Sequence, residues 1–254
     1  MSINIGGQIL RYFFLIDPRY QEVTADGGKI PLKYCLADIL CDLKKSHLPE
    51  VPLVLKRDIV HKEKPWKDHA PIKIIDFREM KDQVIPITLI CHTGKADISV
   101  FRRSKYDVDL VRKFAEIQGG WMTVEKTLFK AENDRYYNYY WLIDLRVRDT
   151  LGLTPAENKS LDALGKVIGK QKIVLPDGAI AHMCDYAVRY PVQFYEYAMN
   201  DADIVVSFCS ELFQANHAVP MTLSSAAATS MRNSIMRYLH PVPNVKVTLN
   251  KGEL

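Results

Sequence analysis

The order in which strand-like and helix-like segments follow one another constrains the fold of this chain more than any other feature. Runs rich in β-branched and aromatic residues predict strands at 9–16, 72–75, 85–91 and, as a hairpin, 121–149. Apolar residues at helical spacing predict helices at 31–45, 95–101, 107–118, from Ser160 onward, 191–213 and 221–239. Segment 51–71, rich in proline and charge, predicts one strand and an irregular connection. Because strands come first and then alternate with helices, we expect an α/β or α+β fold, and the α/β class is the one we adopt.

Composition excludes several classes of protein. Of the 254 residues, 48% are hydrophobic and 25% charged, which is ordinary globular usage and excludes a disordered chain. The formal charge of +4 is compatible with nucleic-acid binding but equally with a slightly basic protein of another kind. No apolar stretch is long enough to cross a membrane, and five cysteines without a CxxC pair favour reduced thiols in a cytoplasmic protein.

Two segments place a carboxylate where chemistry is plausible. In Cys91–Ile98 an apolar strand ends at His92, the chain turns, and Asp97 falls in the first turn of a helix, at the sheet edge where α/β folds bind ligands. In Phe194–Asp201, the side chains of Tyr197 and Asp201 share one helical face that is otherwise apolar. A carboxylate in such a place needs a partner, and a hard metal ion is one solution.

Each of these patterns alone is more often structural than catalytic, and their conjunction in this order carries the hypothesis. Two-metal phosphodiester hydrolysis requires a cluster of carboxylates that holds two ions about 3.5–4 Å apart. A tyrosine beside such ions can orient the attacking water. The two segments therefore predict a nuclease-like site built from Asp97, Tyr197 and Asp201.

The same residues resemble motifs of the DEDD 3′-5′ exonucleases. Asp97 and the turn before it resemble the second motif, and Tyr197-Ala-Met-Asn-Asp201 resembles the third, Tyr-x-x-x-Asp. The stretch between them is similar to the proofreading domains of family B DNA polymerases, above all the protein-primed enzymes of phages, linear plasmids and mobile elements. This stretch includes Arg148-Asp-Thr-Leu151, 159–169 and Lys172-Ile-Val-Leu-Pro176. The resemblance covers about residues 86–235.

The resemblance implies an RNase H-like exonuclease fold, in which helices flank a mixed central sheet. It implies Mg²⁺ or Mn²⁺ at a two-metal site, with Asp97 and Asp201 as metal ligands and Tyr197 as the residue that orients water. Asp149 would be a structural residue at a strand end. We expect an exonuclease-like core at 86–240, preceded by N-terminal strands and a helix at 1–85 and followed by a tail at 241–254. Polymerase domains are not expected in this chain.

The first motif of the family, Asp-x-Glu, has no clear copy here. Asp17 is the candidate for this metal-binding and catalytic position, but Arg19 stands where the glutamate is expected. Asp76 is the alternative, again with an arginine two residues later. A catalytically decayed exonuclease fold, which binds nucleic acid or a polymerase without hydrolysis, is therefore the second hypothesis.

The expected partner is DNA, with single-stranded 3′ ends preferred, and a polymerase or another replication protein is a possible second partner. Four basic residues are candidates for contacts with the phosphate backbone: Lys95, Arg102, Arg103 and Lys172. The aromatic run 136–141 is either strand packing or a surface on which unpaired bases stack.

Overall fold

The structure is a computed structural model, and it confirms an α/β protein. It describes residues 1–5, 8–14, 31–67, 69–94, 97, 101, 124–154, 157, 159–213, 219–220 and 222–239. Several predictions fall outside these residues. They are the end of the strand at 9–16, the helix at 107–118, and the roles given to Asp17, Lys95, Arg102 and Arg103.

Eight strands and five α-helices are found in the described residues. The strands are β1 Ser2–Ile5, β2 Gln8–Arg11, β3 Val54–Leu55, β4 His61–Trp66, β5 His69–Ile75, β6 Val84–Cys91, β7 Val124–Ala131 and β8 Tyr139–Asp149. The helices are α1 Leu32–Ser46, α2 Leu161–Val167, α3 Met183–Arg189, α4 Pro191–Phe213 and α5 Leu223–Leu239. The predictions at 31–45, 85–91, 191–213 and the 121–149 hairpin are confirmed, and Ser160 caps α2 through a bond from the amide of Ala163.

The central strand of the main sheet is β8, which is buried along nearly its whole length. It pairs in parallel with β6 and antiparallel with both β7 and β3. It is apolar on both faces over 141–143, as is typical of a strand covered on both sides, whereas Asp144, Arg146 and Arg148 alternate with apolar residues in its second half. Because β6 and β8 run in the same direction, both deliver their last residues to the same edge of the sheet.

Helix α1 covers one face of this sheet. Its apolar side joins a core cluster with alternate residues of β8, among them Trp141, Ile143 and Leu145, which are fully buried. Burial of side chains of this size contributes roughly 1.5–3 kcal/mol each. The ring of Tyr136 packs edge-to-face against the rings of Tyr139 and Trp141. These three residues of the aromatic run 136–141 therefore have a packing role.

A second core cluster joins α2 to α4 through Leu164, Ile204 and Phe208. Residue 165 of α2 is glycine, which lets the backbone of the turn after α2 approach the helix closely. A Cβ atom there would lie 2.1 Å from the carbonyl oxygen of Lys170, which is backbone and cannot give way cheaply. The turn after α2 is closed by Gly169 at φ +69°, so the chain reverses and runs back along α4.

The strand predicted over 9–16 is confirmed for 9–11 only, because β2 ends at Arg11 and 12–14 are not in a strand. Strand β2 forms a short hairpin with β1, and this hairpin packs on α4. The guanidinium of Arg11 donates from Nε and Nη2 to Asp203 at 3.0 and 2.6 Å, and Ser2 donates to the same carboxylate. After Arg11 the hydroxyl of Tyr12 donates to Asp42 of α1, and the ring of Phe13, which stays exposed, meets Phe194 and Tyr195 of α4 edge-on.

The prediction of one strand and an irregular connection in 51–71 is confirmed only for its first part, where the short strand β3 is followed by a 3-10 turn at Lys56–Asp58. The rest of the region belongs to the two-stranded hairpin of β4 and β5, whose register shifts between Lys64 and Trp66. Its prolines, Pro65 and Pro71, lie in strands that pair only with each other among the described residues. Prolines are tolerated in such edge strands because no further strand needs their missing N–H groups.

Helix α5 follows a segment that is held to the sheet by Arg148, whose Nε donates to the carbonyl of Val219 at 3.1 Å.

None of the described helices has both the length and the apolar character that a membrane crossing requires. All five cysteines are free thiols, and four of them are buried.

Candidate active site

Asp149 organises the sheet edge at which β6 and β8 end. Cys91 and Asp149 are paired opposite each other as the last residues of these strands. The carboxylate of Asp149 is fully buried and accepts bonds from the amides of Thr93, Gly94 and Leu151, at 3.2, 2.6 and 2.9 Å. It therefore fixes the turn after β6, in agreement with the structural role expected for this residue.

His92 begins that turn. Its Nδ1 lies 2.8 Å from the hydroxyl of Thr150, and that hydroxyl donates its proton to the carbonyl of Cys91. Burial is the main reason why the pKa of His92 is lowered, although the charge of Asp149 opposes this. His92 is thus held as a neutral ring beside the two carboxylates described next.

Asp97 comes after the turn that begins at His92 and has a helical backbone conformation. Its Oδ2 accepts a hydrogen bond from the backbone amide of His92 at 3.0 Å. Burial of the carboxyl raises its pKa to about 6, with added repulsion from the charges of Asp149 and Asp201. The residue as a whole is exposed, so the carboxyl also faces solvent that weakens these effects. Because the charge of Asp201 contributes to the raised pKa of Asp97, these two carboxylates lie in the same part of the structure.

Asp201 and Tyr197 lie one turn apart on α4. The hydroxyl of Tyr197 is near enough to the carboxylate of Asp201 to lower its pKa. Burial raises the pKa of Asp201, opposed by the ammonium of Lys172 and by the hydroxyl of Tyr197. Oδ1 of Asp201 is buried and has no hydrogen-bond partner in the described structure. A buried carboxylate oxygen without a donor is costly, and a cation or an ordered water at this point would remove that cost.

Lys172 is the basic residue of this neighbourhood. Its Nζ lies 3.3 Å from Oδ2 of Asp201 and 5.5 Å from the centre of the Tyr197 ring. Two contacts hold the segment that carries Lys172 against α4. Asn200 donates to the carbonyl of Gln171 at 3.1 Å, and Lys170 donates to Ser207 at 2.7 Å. Lys172 is therefore a fixed part of the site.

The structure brings together four of the residues singled out in the sequence: Asp97, Tyr197, Asp201 and Lys172. Asp76, the alternative first-motif residue, lies elsewhere. It follows β5 and binds Lys62 at 3.0 Å, near the start of β6, whereas Asp97 follows the end of that strand. An eight-residue strand is about 25 Å long, so Asp76 does not belong to the site. Asn200 and Ser207 were missed, because a helix pattern does not reveal which segment packs on it.

Within the described residues, no group of three or more histidine, cysteine, aspartate or glutamate side chains is arranged to hold a metal ion. Asp97 and Asp201 are two carboxylates. Mg²⁺ is commonly bound by one or two carboxylates together with substrate phosphates and water, so these two fit a single ion that is shared with a substrate. They do not by themselves fit a two-metal centre.

Thr93 is strained at the middle of the turn, with φ +65°. A β-branched residue is disfavoured in this left-handed region, whereas asparagine adopts it with little penalty. We expect Thr93→Asn to raise the free energy of unfolding by about 0.5–1 kcal/mol. Urea denaturation of both proteins measures the change, and Thr93→Val, which keeps the branched side chain, should give no gain. Equal stability of the asparagine and valine variants would contradict this expectation.

Comparison of the chain with protein-family models, curated proteins and solved structures gives no match. The function must therefore be argued from the geometry of the site.

Proposed function

We propose that this protein is a metal-dependent 3′-5′ exonuclease of RNase H-like fold that removes nucleotides from single-stranded DNA 3′ ends. One observation carries the proposal. Two carboxylates from distant parts of the sequence, Asp97 and Asp201, lie at the C-terminal edge of the parallel strands β6 and β8, where the charge of Asp201 adds to the raised pKa of Asp97. The Tyr-x-x-x-Asp pair of α4 faces the same place, which is the arrangement that the resemblance to DEDD exonucleases implies.

The residues of the site have distinct roles in this proposal. A bound Mg²⁺ or Mn²⁺ would supply Lewis acidity and a water of lowered pKa. Asp201 and Asp97 would hold it, with the buried Oδ1 of Asp201 as the free ligand oxygen. Tyr197, which lies one helical turn before Asp201 and lowers its pKa, would orient the attacking water. Lys172 would move from Asp201 to a phosphate oxygen, since both are anionic partners within its reach.

A complete two-metal site needs further carboxylates. Asp17 remains the candidate from the sequence, and it lies outside the described residues. The role of Asp17 is therefore part of the proposal and is tested by Asp17→Asn in the assay below.

A specific contact favours a second candidate function. Lys172 already neutralises Asp201, and the described residues offer two carboxylates where a two-metal site needs more. A decayed exonuclease fold that binds nucleic acid or a polymerase partner without hydrolysis would keep this ion pair permanently. Binding of a divalent cation distinguishes the two functions.

The test is the shortening of a 5′-labelled single-stranded oligonucleotide by the purified chain. We expect a ladder of products that starts at the 3′ end, requires Mg²⁺ or Mn²⁺ and is abolished by chelator. Asp201→Asn and Asp97→Asn should each slow the reaction by at least about 10²-fold, because each removes a charge that acts in the transition state. Asp185→Asn, on the exposed surface of α3, is the matched control and should leave the rate unchanged.

A thermal-shift titration decides between the two functions. If the protein is an exonuclease, Mn²⁺ should raise the melting temperature of the wild type but not that of Asp201→Asn. If no oligonucleotide is shortened with either ion and Mn²⁺ gives no shift, the exonuclease proposal is wrong. Retained binding of DNA in that case would support the decayed fold.

A further inference from the structure

The hairpin of β4 and β5 has a largely exposed surface to which neither the fold nor the candidate site assigns a role. All residues of β4 are exposed, and β5 is exposed over its first five residues. The hairpin makes strand pairs only within itself in the described structure. A two-stranded ribbon of this kind has no core of its own and is only marginally stable in isolation, so its base must be held by the rest of the protein.

The base of the hairpin is well anchored. Ile59, Ile75 and Phe77 join a core cluster beneath it. Lys62 binds Asp76 at 3.0 Å, and the amide of Asp76 donates to the carbonyl of Val60 at 2.8 Å. From this base the ribbon extends about 20 Å, at roughly 3.3 Å per residue. It is thus a projecting arm on a fixed base.

The tip of the arm carries an aromatic ring among cationic side chains. Trp66, paired across the strands with His69, keeps 51% of its surface exposed. Lys64 and Lys67 flank it in sequence and are also exposed. Neither lysine forms an ion pair with any described residue, unlike Lys62 at the base. Between His61 and Ile75 the sequence has four lysines against two acidic residues.

We infer that this arm binds single-stranded nucleic acid, with Trp66 stacking on an unpaired base and Lys64 and Lys67 contacting phosphates. An exposed aromatic side chain offers a face to any unpaired base, and neighbouring cations follow the backbone. Pro65 and Pro71 make pairing with a further strand unfavourable, so the arm acts through its side chains. This function does not require the Asp97–Asp201 site.

The test measures binding of a 5′-fluorescein-labelled oligothymidylate by anisotropy, in chelator so that no hydrolysis occurs. We expect Trp66→Ala to weaken binding by about 5- to 100-fold, and Trp66→Phe, which keeps a stacking ring, to weaken it less. Lys64→Ala/Lys67→Ala should lower the slope of log K against log salt concentration by about 1.4, since two phosphate contacts are lost. Tyr34→Ala and Lys45→Ala, at exposed positions of α1, are the matched controls.

Three results would overturn the inference. They are absence of binding by the wild type, equal binding by the wild type and all arm variants, and binding of duplex DNA as tightly as of the single strand. Asp185→Asn, on the exposed surface of α3, should bind the oligothymidylate as the wild type does. Failure of the exonuclease proposal and failure of this inference are therefore distinguishable, because one is read from metal-dependent hydrolysis and the other from metal-free binding.

Discussion

Asp149→Ala is expected to lower the free energy of unfolding by about 3–5 kcal/mol, the largest effect of any single substitution we consider. The carboxylate is fully buried and accepts three backbone amides, from Thr93, Gly94 and Leu151. Removal of the acceptor leaves these amides without partners, at about 1–3 kcal/mol for each that water cannot reach. Such a loss corresponds to a fall in melting temperature of roughly 10 °C in a chain of this size.

Two further variants show whether the backbone bonds are the cause. Asp149→Asn keeps one carbonyl oxygen and should lose about half as much stability. Asp177→Ala removes an exposed aspartate and should change the free energy of unfolding by less than about 0.5 kcal/mol. Thermal and urea unfolding measure both. If Asp149→Ala were as stable as Asp177→Ala, the turn after β6 would not depend on this carboxylate.

The consequence for function is indirect. Asp149 does not reach a substrate in our proposal, but the turn it fixes places His92, which in turn donates its amide to Asp97. A variant that folds with a loosened turn should therefore lose exonuclease activity while it still binds oligothymidylate through the β4–β5 arm. Asp149 is a positioning residue by this argument.

The sequence predicted those elements in which one periodicity dominates. Helices α1 and α4 and strands β6 and β8 have long, regular apolar patterns, and their positions were confirmed. Prediction from the sequence failed for those segments whose structure depends on tertiary contacts. Residues 12–14 are as apolar as a strand, but Phe13 packs on α4 as a side chain, and the strand ends at Arg11. The hairpin of β4 and β5 was not predicted, because its content of proline and lysine is unusual for strands.

The candidate site was predictable in part for a similar reason. The spacing of Tyr197 and Asp201 on one helix follows directly from the helical repeat, and the end of β6 indicates where Asp97 begins a helix. Their convergence required the parallel pairing of β6 with β8, which a single sequence does not specify. The ion pair of Lys172 with Asp201 was not foreseen, because it depends on how the turn at Gly169 returns the chain along α4.

Asp97→Asn is expected to stabilise the protein at neutral pH and not in acid. The folded-state pKa of Asp97 is raised from the ordinary 3.8 to about 6. A raised folded-state pKa gives stability that is fully present below the unfolded-state pKa and is lost as pH rises through the folded value. The wild type should therefore lose stability relative to the asparagine variant between about pH 4 and pH 7. The full shift is worth roughly 3 kcal/mol, and solvent exposure of the residue reduces this to about 1 kcal/mol.

A divalent cation should reverse this order. At pH 8 the ionised Asp97 is the form that binds metal, so Mn²⁺ should stabilise the wild type and leave Asp97→Asn unchanged. Urea unfolding at a series of pH values, in chelator and in Mn²⁺, measures both effects. Gln193→Ala, which removes no ionisable group from the exposed start of α4, is the control and should differ from the wild type by the same amount at every pH. The difference in stability between Asp97→Asn and the wild type could instead stay constant from pH 4 to pH 8. Burial and the neighbouring acids would then not raise the pKa of Asp97, and a principal reason to place a cation beside it would disappear.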